Sequence, residues 1–260
     1  MNVNNYFSEQ GSGPPIIFIH GSYATTATWK KMVEQLAASH RCILIKLPGH
    51  CGTTDPDDFA NPTIETELAI VEQVASLLPD EPIHLVGHSF GGVIALAQAL
   101  KGNLNISQLS LFEPVAVSVL NGEMNAVVQK FLAKYRHDVS TNVPFVCGQV
   151  IDFWGGKAAF ESLPDAIKAG MEPLVANNIR HWDISAALDC KAVDLQNLAI
   201  PTRLVCGTRS NPVAHAICEQ LNKQIPHSKK YIIEGASHFL VTSHADDCLK
   251  ALGEQSFFGA

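Results

Sequence analysis

Ser89 stands in Gly87-His88-Ser89-Phe90-Gly91, a serine with a glycine two residues away on either side. The apolar run Ile83–Val86 (IHLV) precedes it and the helix-forming stretch Gly91–Leu100 (GGVIALAQAL) follows. That context places the serine on a sharp strand-to-helix turn, where a side chain at Gly87 or Gly91 would collide with the backbone doubling back. A helix starting just after the serine directs free N–H groups at the reacting centre. A hydroxyl so placed becomes a nucleophile when a base removes its proton. The base must be an imidazole, because its ordinary pKa near 6.5 lets it take and return a proton at neutral pH. Of eleven histidines, His238 lies in Gly235-Ala236-Ser237-His238-Phe239, on a loop directly after the apolar run Lys230–Ile233 (KYII). His244, six residues further on, is the fallback.

The elements that must carry these groups alternate along the chain. Ile16–His20 (IIFIH), Cys42–Leu47 (CILIKL), Ile83–Val86, Leu109–Phe112 (LSLF), Thr202–Cys206 (TRLVC) and Lys230–Ile233 are short apolar runs bounded by Gly or Pro. Such runs suit strands covered on both faces. Between them, Ile64–Leu78 repeats apolar residues at spacings of three and four, and Gly91–Leu100, His215–Gln224 and Ala245–Leu252 read similarly. This alternation predicts an α/β fold with a mainly parallel central sheet and helices on both faces. From Val115 to about Asp194 the helical patterns follow one another without a strand, and the stretch holds Phe131, Tyr135, Phe145, Phe153, Trp154, Phe160 and Trp182. The expected division is a core of residues 1–114 and 195–260, with residues 115–194 as a helical cap or lid. Extra helices packed on the sheet without a gating role are the alternative.

Bulk properties narrow the function classes. Of 260 residues 47% are apolar and 17% charged, ample for a large buried core. The net charge of -7, with no basic cluster, argues against a nucleic-acid partner. No apolar stretch approaches the roughly 20 residues that span a bilayer, and the first residues have neither a basic start nor an apolar core, so neither membrane nor secretory signal is expected. Seven cysteines are scattered without a CxxC pair, as in chains of a reducing compartment; the expected location is the cytoplasm. No His/Asp/Glu cluster has metal-ligand spacing, so no metal and no cofactor is expected. Oligomeric state has no sequence signal.

Four segments together carry a family resemblance: Ile16-Ile17-Phe18-Ile19-His20-Gly21, Leu47-Pro48-Gly49-His50, Gly87-His88-Ser89-Phe90-Gly91-Gly92 and Gly235-Ala236-Ser237-His238. From Ile16 to about Leu252 the chain resembles the α/β-hydrolase superfamily. The resemblance implies an α/β-hydrolase fold, with the lid inserted between strands 6 and 7 of that fold's own numbering. It implies the chain order serine, acid, histidine, which selects His238. It also implies an oxyanion hole made by the backbone N–H of Phe90 and by a second amide after His20-Gly21, at Ser22 rather than Tyr23. His20, His50 and His88 take structural roles in their turns.

The acid is where the chain departs from the pattern. In most of the superfamily it follows the next-to-last strand, but Gly207-Thr208-Arg209-Ser210-Asn211-Pro212 contains no carboxylate. Glu113, in Leu111-Phe112-Glu113-Pro114, ends a buried strand at the sheet edge where the serine turn emerges, and ligands of open α/β sheets bind beyond those strand ends. A carboxylate buried there needs a partner, and an imidazolium would supply one. Three alternatives stand beside it: Asn211 as a neutral partner of the histidine, a cap carboxylate such as Asp183, or a site that only binds. The function expected is a serine hydrolase acting on a small, hydrophobic carboxylic ester or related acyl compound, through Ser89, His238 and Glu113 and an acyl-enzyme. A C–C bond hydrolase, lactonase or lyase on the same fold, or a receptor-like protein with weak hydrolysis, remains open.

Overall fold

The computed structural model describes residues 2–78 and 80–253. Seven strands form one sheet: β1 (Phe7–Gln10), β2 (Pro15–Ile19), β3 (Arg41–Ile45), β4 (Ile83–His88), β5 (Ile106–Phe112), β6 (Thr202–Gly207) and β7 (Ser228–Ile233). Their order is β1-β3-β2-β4-β5-β6-β7, and every neighbouring pair is parallel except β1 with β3. The helices are α1 (Lys30–Leu36), α2 (Glu65–Ala75), α3 (Phe90–Lys101), α4 (Gly122–Ser140), α5 (Cys147–Gly155), α6 (Asp165–Met171), α7 (Val175–Ala187), α8 (Ala192–Gln196), α9 (Pro212–Gln224), α10 (Leu240–Ser243) and α11 (Ala245–Gly253).

The continuous apolar runs are explained by burial on both sides. Strand residues alternate between faces, so Ile17 and Ile19 join a core with Val71, Val93 and Ile217 from α2, α3 and α9. Ile16 and Phe18 point the other way, into a second core with Trp29, Met32 and Leu252. Each large aliphatic or aromatic side chain so enclosed contributes about 1.5–3 kcal/mol of transfer free energy.

The expected parallel sheet is present, with β1, α1 and the single-turn α10 beyond the sequence reading. β1 (FSEQ) has no apolar alternation and is mostly exposed; it is held by its backbone ladder to β3 and by the Arg41–Glu9 ion pair. A short charged strand at a sheet edge also discourages pairing with other chains. α1 buries only Met32 and Val33, too few to leave a periodic signature. Elsewhere the runs extend: the LSLF segment is part of Ile106–Phe112, and α9 begins at Pro212, where Asn211 caps it by accepting from the Val213 amide at 2.6 Å.

The order places β2 between β3 and β4, so the chain leaves β2 in one direction and returns on its other side. The crevice at such a reversal is where open α/β sheets bind ligands, and the carboxyl ends of β2 and β4 lead there into Gly21-Ser22 and Ser89. Between β5 and β6 the described chain runs through α4–α8 without a strand. Its aromatic residues pack on one another: Phe131 against Phe153 with centroids 4.2 Å apart, and Trp154 stacked on Trp182 at 5.6 Å. Arg180 of α7 is buried and donates to both Asp58 and Glu67, joining this helical segment to the loop before α2 and to α2 itself. Among the described residues no helix is long and apolar enough to cross a membrane.

Candidate active site

The turn after β4 brings Ser89 to φ 56° and ψ −121°, a conformation that a non-glycine residue holds only under constraint. The constraint is backbone hydrogen bonding: Ser89 N–H donates to Phe112 O at 3.0 Å, and Ser89 O accepts from Gly92 N–H at 3.0 Å. A Cβ at Gly87 would strike the Gly91 carbonyl, and one at Gly91 would strike the Ile19 carbonyl. Both glycines are therefore demanded by close approach. Gly21 is demanded likewise, since a Cβ there would lie 2.7 Å from Ser89 Cβ. That proximity brings the Gly21-Ser22 loop against the serine.

His238 sits on the loop after β7. Its Nε2 is 3.1 Å from Ser89 Oγ, and its Nδ1 is 2.8 Å from Glu113 Oε2. Glu113 follows β5 directly, at φ 43°, with its N–H donating to Val205 O at 2.9 Å. Its other oxygen accepts from the Gly207 amide at 2.8 Å and from the Ser210 hydroxyl. Burial alone would push this carboxyl up, but the bonds from His238, Ser210 and Gly207 hold it below its ordinary value. It is thus a carboxylate whose partners on every side are donors. Trp154 stacks on the His238 ring, centroids 5.3 Å apart.

The other sequence candidates lie apart from this chain of contacts. The Asn211 amide donates to Phe153 O while its oxygen caps α9, so both ends of the side chain are engaged away from His238. Asp183 pairs with Arg136 at the surface. His244 shares a hydrogen bond with Ser243 at 2.8 Å and does not line the cavity beside Ser89. Phe90 opens α3, so its N–H lacks an intrahelical acceptor. Ser22 lies across the cavity mouth with its hydroxyl on His181 Nδ1 at 2.7 Å.

Three contributors escaped the sequence reading. Ser210, on the segment where the pattern expects an acid, donates to Glu113 instead. Trp154 appeared only as one aromatic among seven. His181 belongs to a stripe of α7, Asn178, His181 and Ser185, spaced by three and four and buried although polar. A polar stripe on a helix ordinarily faces water; its neighbours Trp182 and Ile184 were the only hint that this one does not.

The cavity opening on Ser89 has a volume of about 500 Å³, within the usual range for a small-molecule site. Its walls come from the turns after β2, β4 and β7 and from α5–α7, and include Val150, Ile151, Trp154, Ile167, Met171 and Trp182. Among the described residues no Asp, Glu, Lys or Arg lines it.

Histidines behind the site are kept neutral. Burial, first of all, pushes His20 and His88 down to about 3, although His20 donates to Gly21 O and His88 to His238 O, each at 2.8 Å. In the unfolded chain both titrate at their ordinary 6.5. Between those values the unfolded chain binds protons that the folded chain refuses, so stability is full above pH 6.5 and falls as the pH drops towards 3. Each contributes a slope of up to about 1.4 kcal/mol per pH unit. His50 and His181 are shifted in the same direction. Urea unfolding at pH 7.5, 6 and 5 should show a loss from these two imidazoles of about 1.5 kcal/mol over the first step and a further loss of roughly 2–3 kcal/mol over the second. A flat profile from pH 6 to 5 would mean that these imidazoles titrate normally in the fold.

A family model described as the alpha/beta hydrolase family matches residues 16–251. A pimeloyl-[acyl-carrier protein] methyl ester esterase of Aliivibrio salmonicida is 26% identical over 97% of this chain and 95% of its own length. Among solved structures, MenH from S. aureus superposes with a TM-score of 0.77 at 19% identity, covering 95% of this chain and 97% of that one. An esterase from Exiguobacterium antarcticum gives 0.75 at 18% identity, covering 95% and 93%.

Proposed function

The chain belongs to the alpha/beta hydrolase family, and from that premise we propose that it is a serine ester hydrolase acting on neutral, apolar acyl groups through Ser89, His238 and Glu113. One observation carries the reading: the hydrogen-bonded series Glu113–His238–Ser89 ends at a cavity that, among the described residues, no Asp, Glu, Lys or Arg lines. His238 Nε2 takes the Ser89 proton as Oγ adds to the ester carbonyl. The carbonyl electrons move onto oxygen, and the resulting oxyanion accepts hydrogen bonds donated by the N–H groups of Phe90 and Ser22. His238 then protonates the departing alkoxide, leaving an acyl-enzyme. Water, deprotonated by His238, attacks the acyl carbon; the proton returns to Ser89 and the acid is released. Glu113 orients Nδ1–H of His238 and offsets the charge of the imidazolium. Residues 115–194 act as a cap whose α5–α7 close the acyl pocket. The name of the Aliivibrio relative, a methyl ester esterase, makes methyl esters the natural leaving-group class to try.

The pocket walls set an acyl preference that a paired assay reads. A terminal carboxylate in this cavity would meet no cation and lose its water, at a cost of several kcal/mol. The p-nitrophenyl ester of hexanoate should turn over many times per enzyme, and the mono-p-nitrophenyl ester of adipate should have a kcat/KM lower by at least about 100-fold. Equal rates for the two would remove the neutral-acyl assignment. A single burst without turnover on hexanoate would favour a receptor-like protein over an enzyme.

A further inference from the structure

We infer that His181, from the helical segment between β5 and β6, is a positioning residue that holds the oxyanion donors in place, an inference that rests on the ester-hydrolase reading of the same site. One imidazole touches both residues whose amides are assigned to the oxyanion. Its Nδ1 shares a hydrogen bond with Ser22 Oγ at 2.7 Å. Its ring lies on Phe90, with centroids 3.9 Å apart and an interplanar angle of 12°. The ring also stacks on His50, with centroids 5.4 Å apart. The ring is therefore held by two stacking neighbours, and the Ser22 side chain is bonded to it.

The need for such a strut follows from the local backbone. Gly21 precedes Ser22, and Tyr23 follows at φ 56°, so the loop has a glycine on one side and a left-handed residue on the other. Catalysis by an oxyanion hole depends on donors already aimed before charge develops, and a donor that wanders contributes little. His181 has a fixed base of its own. The adjacent Arg180 is buried in bonds to Asp58 and Glu67, so α7 cannot shift at this point without breaking them. Burial first of all, with His50 and Arg180 adding to it, holds the His181 imidazole well below its ordinary value. Seating of the α7 helix on the core and alignment of the Ser22 amide are thereby one structural event.

The test separates positioning from packing. His181→Phe keeps a ring on Phe90 but cannot bond Ser22; Ser22→Ala removes the same bond from the other end and keeps the Ser22-position amide. With p-nitrophenyl hexanoate each should lower kcat by roughly 10–100-fold, a part of what loss of a whole oxyanion donor costs, with KM changed less than about threefold. The double variant should lose no more than either single one, because both remove one bond. His181→Asn, whose amide can reach Ser22, should recover most of the rate. Thermal melting of each variant identifies any that fail to fold, and Ser22→Ala, at a half-buried loop position, carries the test if His181→Phe does. Retention of kcat within twofold in folded His181→Phe and in Ser22→Ala overturns the inference, as do losses that multiply in the double variant. Absence of turnover in the unaltered protein, or turnover that survives Ser89→Ala, defeats the ester-hydrolase reading itself and takes this inference with it.

Discussion

Replacing Glu113 with glutamine is expected to lower kcat for p-nitrophenyl hexanoate by roughly 10⁴-fold while leaving KM nearly unchanged, the size of effect seen when the triad carboxylate of a serine protease becomes an amide. The substitution changes no volume and removes one charge. In the native site Oε2 faces His238 Nδ1 at 2.8 Å, while Oε1 takes the Gly207 amide and the Ser210 hydroxyl. Glutamine can keep one of these sides but not both. If its oxygen stays on Gly207 and Ser210, its NH₂ points at Nδ1 and forces the imidazole into the tautomer that presents Nε2–H to Ser89, which cannot then act as base. If the amide turns round, two buried donors face an NH₂ group, each unsatisfied group costing about 1–3 kcal/mol. Either way the imidazolium of the transition state has lost its counter-charge. Glu113→Asp is a milder change: it retains the charge but draws it back by one methylene, and should recover a measurable part of the rate. Turnover by Glu113→Gln within tenfold of the unaltered protein would show that the carboxylate serves the backbone of the Gly207 turn and not His238.

That Glu113, directly after β5, would face His238 was legible because a carboxylate ending a buried apolar strand needs a partner, and because the Gly207–Pro212 segment holds no carboxylate. What could not be read was how the vacated segment is used. The Gly207 amide at the end of β6 and Ser210 in the turn just after it are 94 and 97 positions from Glu113 in sequence, a juxtaposition set by strand order and not by any local pattern. The fold was legible for a related reason. Strands covered on both faces appear as unbroken apolar runs, and β2, β4 and β6 are of that kind. β1 escaped because an edge strand is held by its ladder, which leaves side chains free to be polar. His181 escaped because periodicity reports that a helix has a polar face without reporting what that face meets. Here it meets Ser22 and Phe90.

Ser89→Ala is the substitution with the largest expected loss, of order 10⁶-fold in kcat, as for removal of a serine protease nucleophile. The residue that remains cannot form the acyl-enzyme, and whatever rate persists comes from binding and the oxyanion donors alone. The fold should be unaffected, since the strained turn is held by Ser89 N–H on Phe112 O and by the close-approach glycines, none of which involves the hydroxyl. A reagent that stops at the first covalent step converts this into the most direct measurement of the mechanism. An alkyl fluorophosphonate transfers its phosphonyl group to the activated serine, releases fluoride, and leaves an adduct that water removes only slowly. Treated with it and mapped by peptide mass spectrometry, the unaltered protein should carry one phosphonyl group, on Ser89, in step with the loss of ester turnover, and Ser89→Ala should carry none. Inactivation with Ser89 unmodified, or full ester turnover after Ser89 has been modified, would contradict the account.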